Sequence, residues 1–354
     1  VSPPIYQTST FRQDGVARPR GGYEYARSQN PTRERLERAV ATLEGGRHGI
    51  AFASGSAASA AIAELAAAGQ EILVGDDVYG GTHRYLTKVR AGAGVEPHFV
   101  DLAAGPDVLW EALSERTRLV WFESPTNPLL KVVDLASIVA TVERRAAEGG
   151  TRPLIVVDNT FATPVNQRPL TIGADIVFHS ATKYLSGHSD TILGIAVTSD
   201  DAVADRLRFL QNAMGGVPGP LDCFLVLRGL RTLHLRMARH ASNAAAVARA
   251  LEARDDIAEV RYPGFGGMVS FVPRASDARS AAERAVAIAE GTTLFTLAES
   301  LGGVESLIEV PAAMTHLSVA ETALAVDPAL IRLSVGIEGE ADLVADLSGA
   351  LDRA

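Results

Sequence analysis

Through the first two-thirds of this chain, short runs of consecutive apolar residues alternate with helix-period segments. GIAFASGS leads into an Ala-rich helix over 57–68, and EILVGDD reads as a strand. HRYLTKVRAG reads as a helix, VEPHFVDL and RLVWFESP as strands, and DLASIVATVERRAAEG as a strongly periodic helix. LIVVDNTF and DIVFHSATK complete the series as strands with polar ends. Strands apolar on both faces and separated by helices predict an α/β fold with a mainly parallel, doubly covered sheet. Ligands of such sheets gather beyond the carboxyl ends of the strands. The polar tails Ser54-Gly55-Ser56, Asp76-Asp77, Glu123-Ser124, Asp158-Asn159 and Ser180–Lys183 are therefore expected to converge on one crevice.

The flanks read differently. Residues 1–30, rich in Pro, Gly, Arg and Tyr without periodicity, predict an extended arm. A helix follows over 30–46, with Asn30 as cap, Pro31 in the first turn, an apolar stripe of Leu36, Val40 and Leu43, and Gly45 as stop. After Gly215-Gly216, residues 222–254 predict one long helix or two joined ones. Strands at EVRYPG and MVSFVP, a helix near 277–290, a strand at IRLSVGIE and a closing helix then predict a second, smaller α+β unit with its own core. At YPGFGG (262–267), two glycine-flanked ends abut with no connecting element.

Composition excludes several classes. With 47% hydrophobic and 21% charged residues among 354, the chain is an ordinary globular protein. A net charge of 33 − 42 = −9 without a basic patch argues against nucleic acid and for a small-molecule partner. The single Cys223 forms no internal disulfide, which fits a reducing compartment and a cytoplasmic location. No metal site is expected, since the eight histidines show no metal-pair spacing. The apolar stretch Ala57–Ala68, broken by Ser59 and Glu64, is too short for a bilayer. VSPPIYQTSTF lacks the pattern of a secretion signal, and without an initiator Met, residues preceding Val1 are expected to be missing. ASGSAAS lacks the second glycine of a nucleophile elbow, against a serine hydrolase.

Lys88, Lys131 and Lys183 are the only lysines, leaving 33 − 3 = 30 arginines. Lys183 follows an apolar strand among Ser180, Thr182, Ser186 and His188, where desolvation makes an amine nucleophilic toward carbonyls. Asp158, at the end of LIVVD, is either a helix cap or the counter-ion of a buried cation such as a pyridinium nitrogen. Ser54-Gly55-Ser56 before a helix offers backbone N–H groups to a phosphate, a weak signal alone. Tyr79 is either rim packing or a ring stacked on a planar cofactor. Arg332 is either a surface charge or a bidentate carboxylate ligand. Tyr25 and Arg27 lie in the arm, where exposure is the default, and His179 and His188 read as core or supporting residues.

Taken together, YEYARSQNPTR, ASGSAA, DDVYGGTHRY, ESPTNP, VDNTF, HSATKYLSGHSD, AESLGG, MTH and IRLSVGIE resemble the pyridoxal-phosphate enzymes of cysteine and methionine metabolism. That family includes cystathionine γ-lyase, cystathionine γ-synthase and methionine γ-lyase, and the resemblance runs in order along the whole chain. It implies the fold type I architecture of PLP-dependent transferases: an arm over 1–28 reaching a neighbouring subunit, a PLP domain over 29–234 and a C-terminal domain over 235–354. It also implies a homotetramer, a dimer of dimers with shared active sites, acting on an amino acid and needing no nucleic acid or membrane. Residue by residue, the resemblance makes Lys183 the Schiff-base lysine, Asp158 the partner of the pyridine nitrogen and Tyr79 the stacking and proton-donating ring. Ser54, Gly55, Ser56, Ser180 and Thr182 then hold the phosphate, with Tyr25 and Arg27 from the neighbour. Asn127 contacts cofactor and substrate, and Arg332, Ser300, Glu299 and Thr315 bind substrate.

The implied reaction is γ-elimination or γ-replacement on a sulfur amino acid. Glu299 matches an acidic residue of cystathionine enzymes, and Gly81 stands where methionine γ-lyases usually carry cysteine. Both favour a cystathionine enzyme over a methionine γ-lyase releasing methanethiol, 2-oxobutyrate and ammonia. A non-catalytic PLP-binding relative is the remote alternative. Three departures stand out. Gln29 replaces a common glycine. His83 occupies a position near Tyr79 often held by asparagine, where it is expected to alter substrate contacts or the tyrosine. Between Gly264 and Phe265 the family carries a further segment, expected to be a mobile loop missing here.

Overall fold

The structure, a computed structural model, describes residues 1–322 and 324–354. Seven strands form the larger sheet: β1 (His48–Phe52), β2 (Glu71–Gly75), β3 (Glu96–Val100), β4 (Thr117–Glu123), β5 (Leu154–Asp158), β6 (Ile176–Ser180) and β7 (Gly194–Thr198). Their spatial order is β1-β7-β6-β5-β4-β2-β3. Six strands share one direction, and β7 runs antiparallel between β1 and β6. The period-2 side-chain alternation of β4 explains its unbroken apolar run: Leu119 and Trp121 enter one core with Ile62 and Phe178. Val120 and Phe122 enter the core on the other face with Leu73 and Ile138.

Local signals set the helix ends. In the helix Pro31–Glu44, the Asn30 side chain accepts from the N–H groups of Thr32 and Arg33, and Gly45 closes it at φ 76°. Leu36 and Val40 are buried, whereas Leu43, expected in the same stripe, is exposed. The Ala-rich helix runs Gly55–Ala63 rather than 57–68. It starts earlier because Ser54 caps it. It stops earlier because Gln70 Oε1 accepts from Ala67 N and Gly69, at φ 81°, turns the chain into β2. The helix at HRYLTKVRAG begins at Gly80 and widens into a π-helical turn over Leu86–Arg90.

Residues 222–254 form two helices, Pro220–Leu230 and Leu233–Glu252. The second reaches two cores. Leu233 and Met237 pack with Leu36 and Tyr184, while Ala244, Val247 and Leu251 pack against the smaller sheet. Position 234/235 lies in its first turn. The smaller sheet has the order β8-β9-β12-β11-β10, from β8 (Ile257–Arg261), β9 (Met268–Pro273), β10 (Thr296–Leu297), β11 (Leu307–Glu309) and β12 (Ile331–Ser334). All its pairs are antiparallel except β10–β11. The helices Ala281–Gly291 and Glu340–Arg353 complete its core of Phe271, Ile288, Leu333 and Leu347. Residues 262–267 join β8 to its neighbour β9 directly, with Gly264 and Gly266 at φ 86° and 71°. Cys223 is buried, and no helix among the described residues is long and apolar enough to cross a membrane.

Candidate active site

The carboxyl ends of β1, β2, β4, β5 and β6 face β12, Thr315 and the 299–301 loop across a cavity of about 280 Å³. Ser54, Gly55, Ser56, Tyr79, Asn127, Asp158, Ser180, Thr182, Lys183, Glu299, Ser300, Thr315 and Arg332 all line it. Tyr25 and Arg27 do not. They line a separate depression with Gln7 and Pro218, where Arg27 Nη1 donates to the carbonyl and side-chain oxygens of Asn212, both at 2.9 Å.

Lys183 sits in the turn after β6 and donates from Nζ to Ser300 Oγ at 2.8 Å. Burial, reinforced by the nearby Arg332 charge, lowers its pKa to about 8; Glu309 and Glu299 oppose the shift. About a tenth of the amine is thus unprotonated at pH 7, far more than for an ordinary lysine. Asp158 ends β5 and accepts from Thr160 N at 3.0 Å and from the Thr160 hydroxyl. Burial raises its pKa, while the Thr160 bonds, and then the nearby His179, act against the rise.

Glu123, next to Asp158 in the parallel register of β4 and β5, accepts from Tyr79 N at 2.7 Å. Its pKa stands well above the carboxylate range, first through burial and then through Asp158. Sequence reasoning placed Glu123 at the crevice without giving it a task. The signal was its position at a strand end beside another carboxylate.

At the phosphate-type corner, Gly55 begins a nine-residue helix whose first N–H groups have no partner within the helix. A Cβ on Gly55 would lie 2.9 Å from Ser180 Cβ, so only glycine keeps that approach open. Thr182 Oγ1 accepts from Leu193 N at 3.0 Å, which ties its hydroxyl to the backbone. Tyr79 is 43% exposed, with its ring over Gly81, where a Cβ would come within 2.3 Å of Tyr79 Cε1. His83 points elsewhere. It is buried against Phe99, ring centroids 4.8 Å apart, and does not line the cavity, contrary to the first of its two expected roles, an effect on substrate contacts. The reason is helical: Thr82, not His83, faces the cavity in the first turn after Tyr79. His179 is fully buried, its Nε2 2.6 Å from Glu44 Oε1.

On the facing side, antiparallel pairing of β11 and β12 sets Glu309 opposite Arg332. Arg332 is buried, with Nη1 donating to Asn127 Oδ1 at 2.8 Å and Nη2 to Ser300 O at 2.9 Å. Nη2 also lies 3.0 Å from Glu309 Oε2. Ser300 adopts φ 91°, which brings both its carbonyl and its hydroxyl to bear. Glu309 and His316 were not singled out from the sequence, because an isolated Glu in LIEVP and a His in MTH carry no spacing signal.

An electrophile-seeking amine, a buried carboxylate and a helix-terminal anion seat in one cavity are the donor set that pyridoxal phosphate requires: aldehyde, pyridine nitrogen and phosphate each meet a matching group. Fold and cavity define a pyridoxal-phosphate enzyme of fold type I. The description "Cys/Met metabolism PLP-dependent enzyme" matches residues 1–352, and the chain belongs to that family. It is 46% identical to cystathionine gamma-lyase of Saccharomyces cerevisiae, covering 100% of this chain and 93% of that protein. It is 48% identical to cystathionine gamma-synthase of Mycobacterium tuberculosis (99% and 92%). The crystal structure of metB from Corynebacterium glutamicum superposes with a TM-score of 0.95 at 41% identity, covering 99% of this chain and 93% of that one.

Proposed function

We propose that this chain cleaves or forms the carbon–sulfur bond of cystathionine by γ-elimination or γ-replacement. The observation that carries the reading is Lys183: a desolvated amine, its pKa near 8, held by Ser300 beside the buried guanidinium of Arg332. Ser54, Gly55, Ser56 and Ser180 would hold the cofactor phosphate, and Asp158 would face its ring nitrogen. When bound, pyridoxal phosphate supplies an electron sink for the charge left on the substrate's α-carbon. Arg332, steadied by Asn127, binds the α-carboxylate and so orients the α-hydrogen. The Lys183 amine takes that proton, and Ser300 Oγ fixes the direction of Nζ. Tyr79, at the open side of the cavity, is positioned to protonate the departing sulfur. Glu299 lines the same cavity and supplies a negative partner for the distal ammonium of cystathionine. The space over Gly81 supports this reading against a methionine γ-lyase, because a cysteine there would displace the Tyr79 ring as it now lies.

A second reading has its own observation: a relative at 46% identity, from Lactococcus lactis, is named cystathionine beta-lyase. β-Elimination uses the same carboxylate clamp and the same proton abstraction, with the bond broken one carbon nearer. Product analysis separates the two. The holoenzyme with L-cystathionine is expected to give 2-oxobutyrate, cysteine and ammonia; pyruvate, homocysteine and ammonia would make it a β-lyase. No turnover would leave only γ-replacement, to be checked by cystathionine formation from cysteine and O-succinylhomoserine, whose absence would remove the proposal.

The arm and the exposed apolar residues Ile192, Leu221 and Leu235 support a homo-oligomer, a tetramer of two dimers, with Tyr25 and Arg27 serving a neighbouring copy's phosphate site. The unit over 29–234 would then carry the cofactor, 235–354 would close the cavity, and the enzyme would work in the cytoplasm.

A further inference from the structure

Behind Arg332 lies a closed ring of polar contacts, buried except at Thr315, which lines the cavity. Arg332 Nη2 lies 3.0 Å from Glu309 Oε2, and Glu309 Oε1 lies 2.8 Å from Thr315 Oγ1. Thr315 Oγ1 lies 2.9 Å from His316 Nδ1, and His316 Nε2 lies 3.2 Å from Asn127 O. Asn127 Oδ1 returns to Arg332 Nη1 at 2.8 Å. Hydrogen positions follow from which atoms can donate. The Asn127 carbonyl can only accept, so Nε2 of His316 carries a hydrogen. Burial and the Arg332 charge bring the His316 pKa down to about 4, so at neutral pH Nδ1 is bare and needs a donor. An ionised Glu309 also needs a donor at Oε1. Both acceptors face the one hydroxyl hydrogen of Thr315. With Glu309 ionised the ring is one hydrogen short; with Glu309 protonated, Glu309 donates to Thr315 and Thr315 donates to His316.

We propose that Glu309 takes up a proton when a substrate carboxylate binds Arg332, so that amino-acid binding is coupled to protonation of the Glu309–Thr315–His316 ring. The inference rests on the reading of Arg332 as the carboxylate clamp. An incoming carboxylate and Glu309 compete for one guanidinium in a buried setting, and two neighbouring anions are relieved when one is neutralised. Glu309 is the group prepared for this. It is 1% exposed, and burial already raises its pKa. Arg332, the Thr315 bond and Lys183 are what hold it down; Glu299 pushes with burial. Among the described residues, the other charged or titratable neighbours of Arg332 are Tyr79, Glu123, itself a carboxyl with a raised pKa, and Tyr184, buried with its own pKa raised. Thr315, which lines the cavity, gives a proton from solvent its way in. Glu309 is in these terms a positioning residue: it keeps Arg332 aligned before substrate arrives and withdraws its charge afterwards.

The test uses the holoenzyme and butanoate, a carboxylate with neither amino group nor leaving group. Calorimetric titration near neutral pH in HEPES and in Tris counts the protons exchanged. The expected result is close to one proton taken up per butanoate bound, with Kd rising about tenfold per pH unit above the Glu309 pKa. In Glu309→Gln the uptake should vanish and the pH slope flatten. The visible absorbance of bound cofactor reports whether the variant is folded. Should it not be, the measurement on the parent protein decides alone. Butanoate bound without proton uptake overturns the proposal. No binding, or binding undiminished by Arg332→Lys, overturns instead the reading of Arg332 on which it rests.

Discussion

Two buried groups carry predictions of their own at the scale of single residues. The Lys183 amine, with its pKa near 8, differs from Lys131, whose pKa is raised by Asp76 and Asp101 at 2.9 and 3.2 Å. In cofactor-stripped protein, an amine-directed reagent should label Lys183 with a midpoint near pH 8 and well ahead of Lys131, as read by peptide mass spectrometry. Added pyridoxal phosphate should protect Lys183 alone. Labelling of Lys183 no faster than Lys131 would remove the basis for its acting as a base near neutrality. Glu123 is the opposite case, a carboxyl whose pKa is raised by burial and then by Asp158. A raised folded pKa means stability is fully present below the unfolded value and falls as pH rises through the folded one. Glu123→Gln imitates the protonated form, keeps an acceptor for Tyr79 N–H, and should cost under about 0.5 kcal/mol while flattening that loss with rising pH. Glu123→Ala should cost about 2 kcal/mol, because the Tyr79 N–H loses its partner and a void opens. Denaturant titrations across pH distinguish the two.

At the scale of elements, Asn30 does two things at once. Its Oδ1 caps the helix Pro31–Glu44 through Thr32 N at 2.9 Å, and its Nδ2 donates to Tyr6 O at 3.0 Å, holding the arm. Asn30→Ala should cost about 1 kcal/mol. Asn30→Asp should keep the cap yet release the arm, seen as faster proteolysis near Tyr6 with little change in Tm. Such caps were legible in the sequence, as were the strands, because each is written in adjacent residues. The convergence of Ser54, Asp158 and Lys183 was legible too, since strand ends of a parallel sheet share one rim. What adjacency does not encode is register. Glu309 meets Arg332 only through the antiparallel register of β11 against β12, and Glu123 meets Asp158 only through the parallel register of β4 against β5. His83 shows the converse. Proximity in sequence to Tyr79 suggested a shared site, but one step along a helix turned it into the packing around Phe99.

For the whole molecule, the question is whether a site is completed by a second copy. Arg27 and Tyr25 lie in a depression separate from the cavity of their own chain, although Ser54, Gly55 and Ser180 gather the other groups of an anion seat. A guanidinium supplied by a neighbour would complete that seat. If the arm serves a neighbour, Lys183→Ala would remove the base of a chain's own site, whereas Arg27→Ala would weaken the phosphate seat of the adjoining site. In a dimer of one chain of each kind, both lesions fall in a single site and the other site is whole. Random mixing of the two inactive variants, assayed at limiting cofactor, should therefore restore about a quarter of parental activity, since half the dimers are hybrids with one good site of two. If Arg27 acted within its own chain, every site of the hybrid would carry one lesion and mixing would restore nothing. Sedimentation of the same samples shows whether the subunits have exchanged, so that an absence of activity counts against sharing and not against exchange.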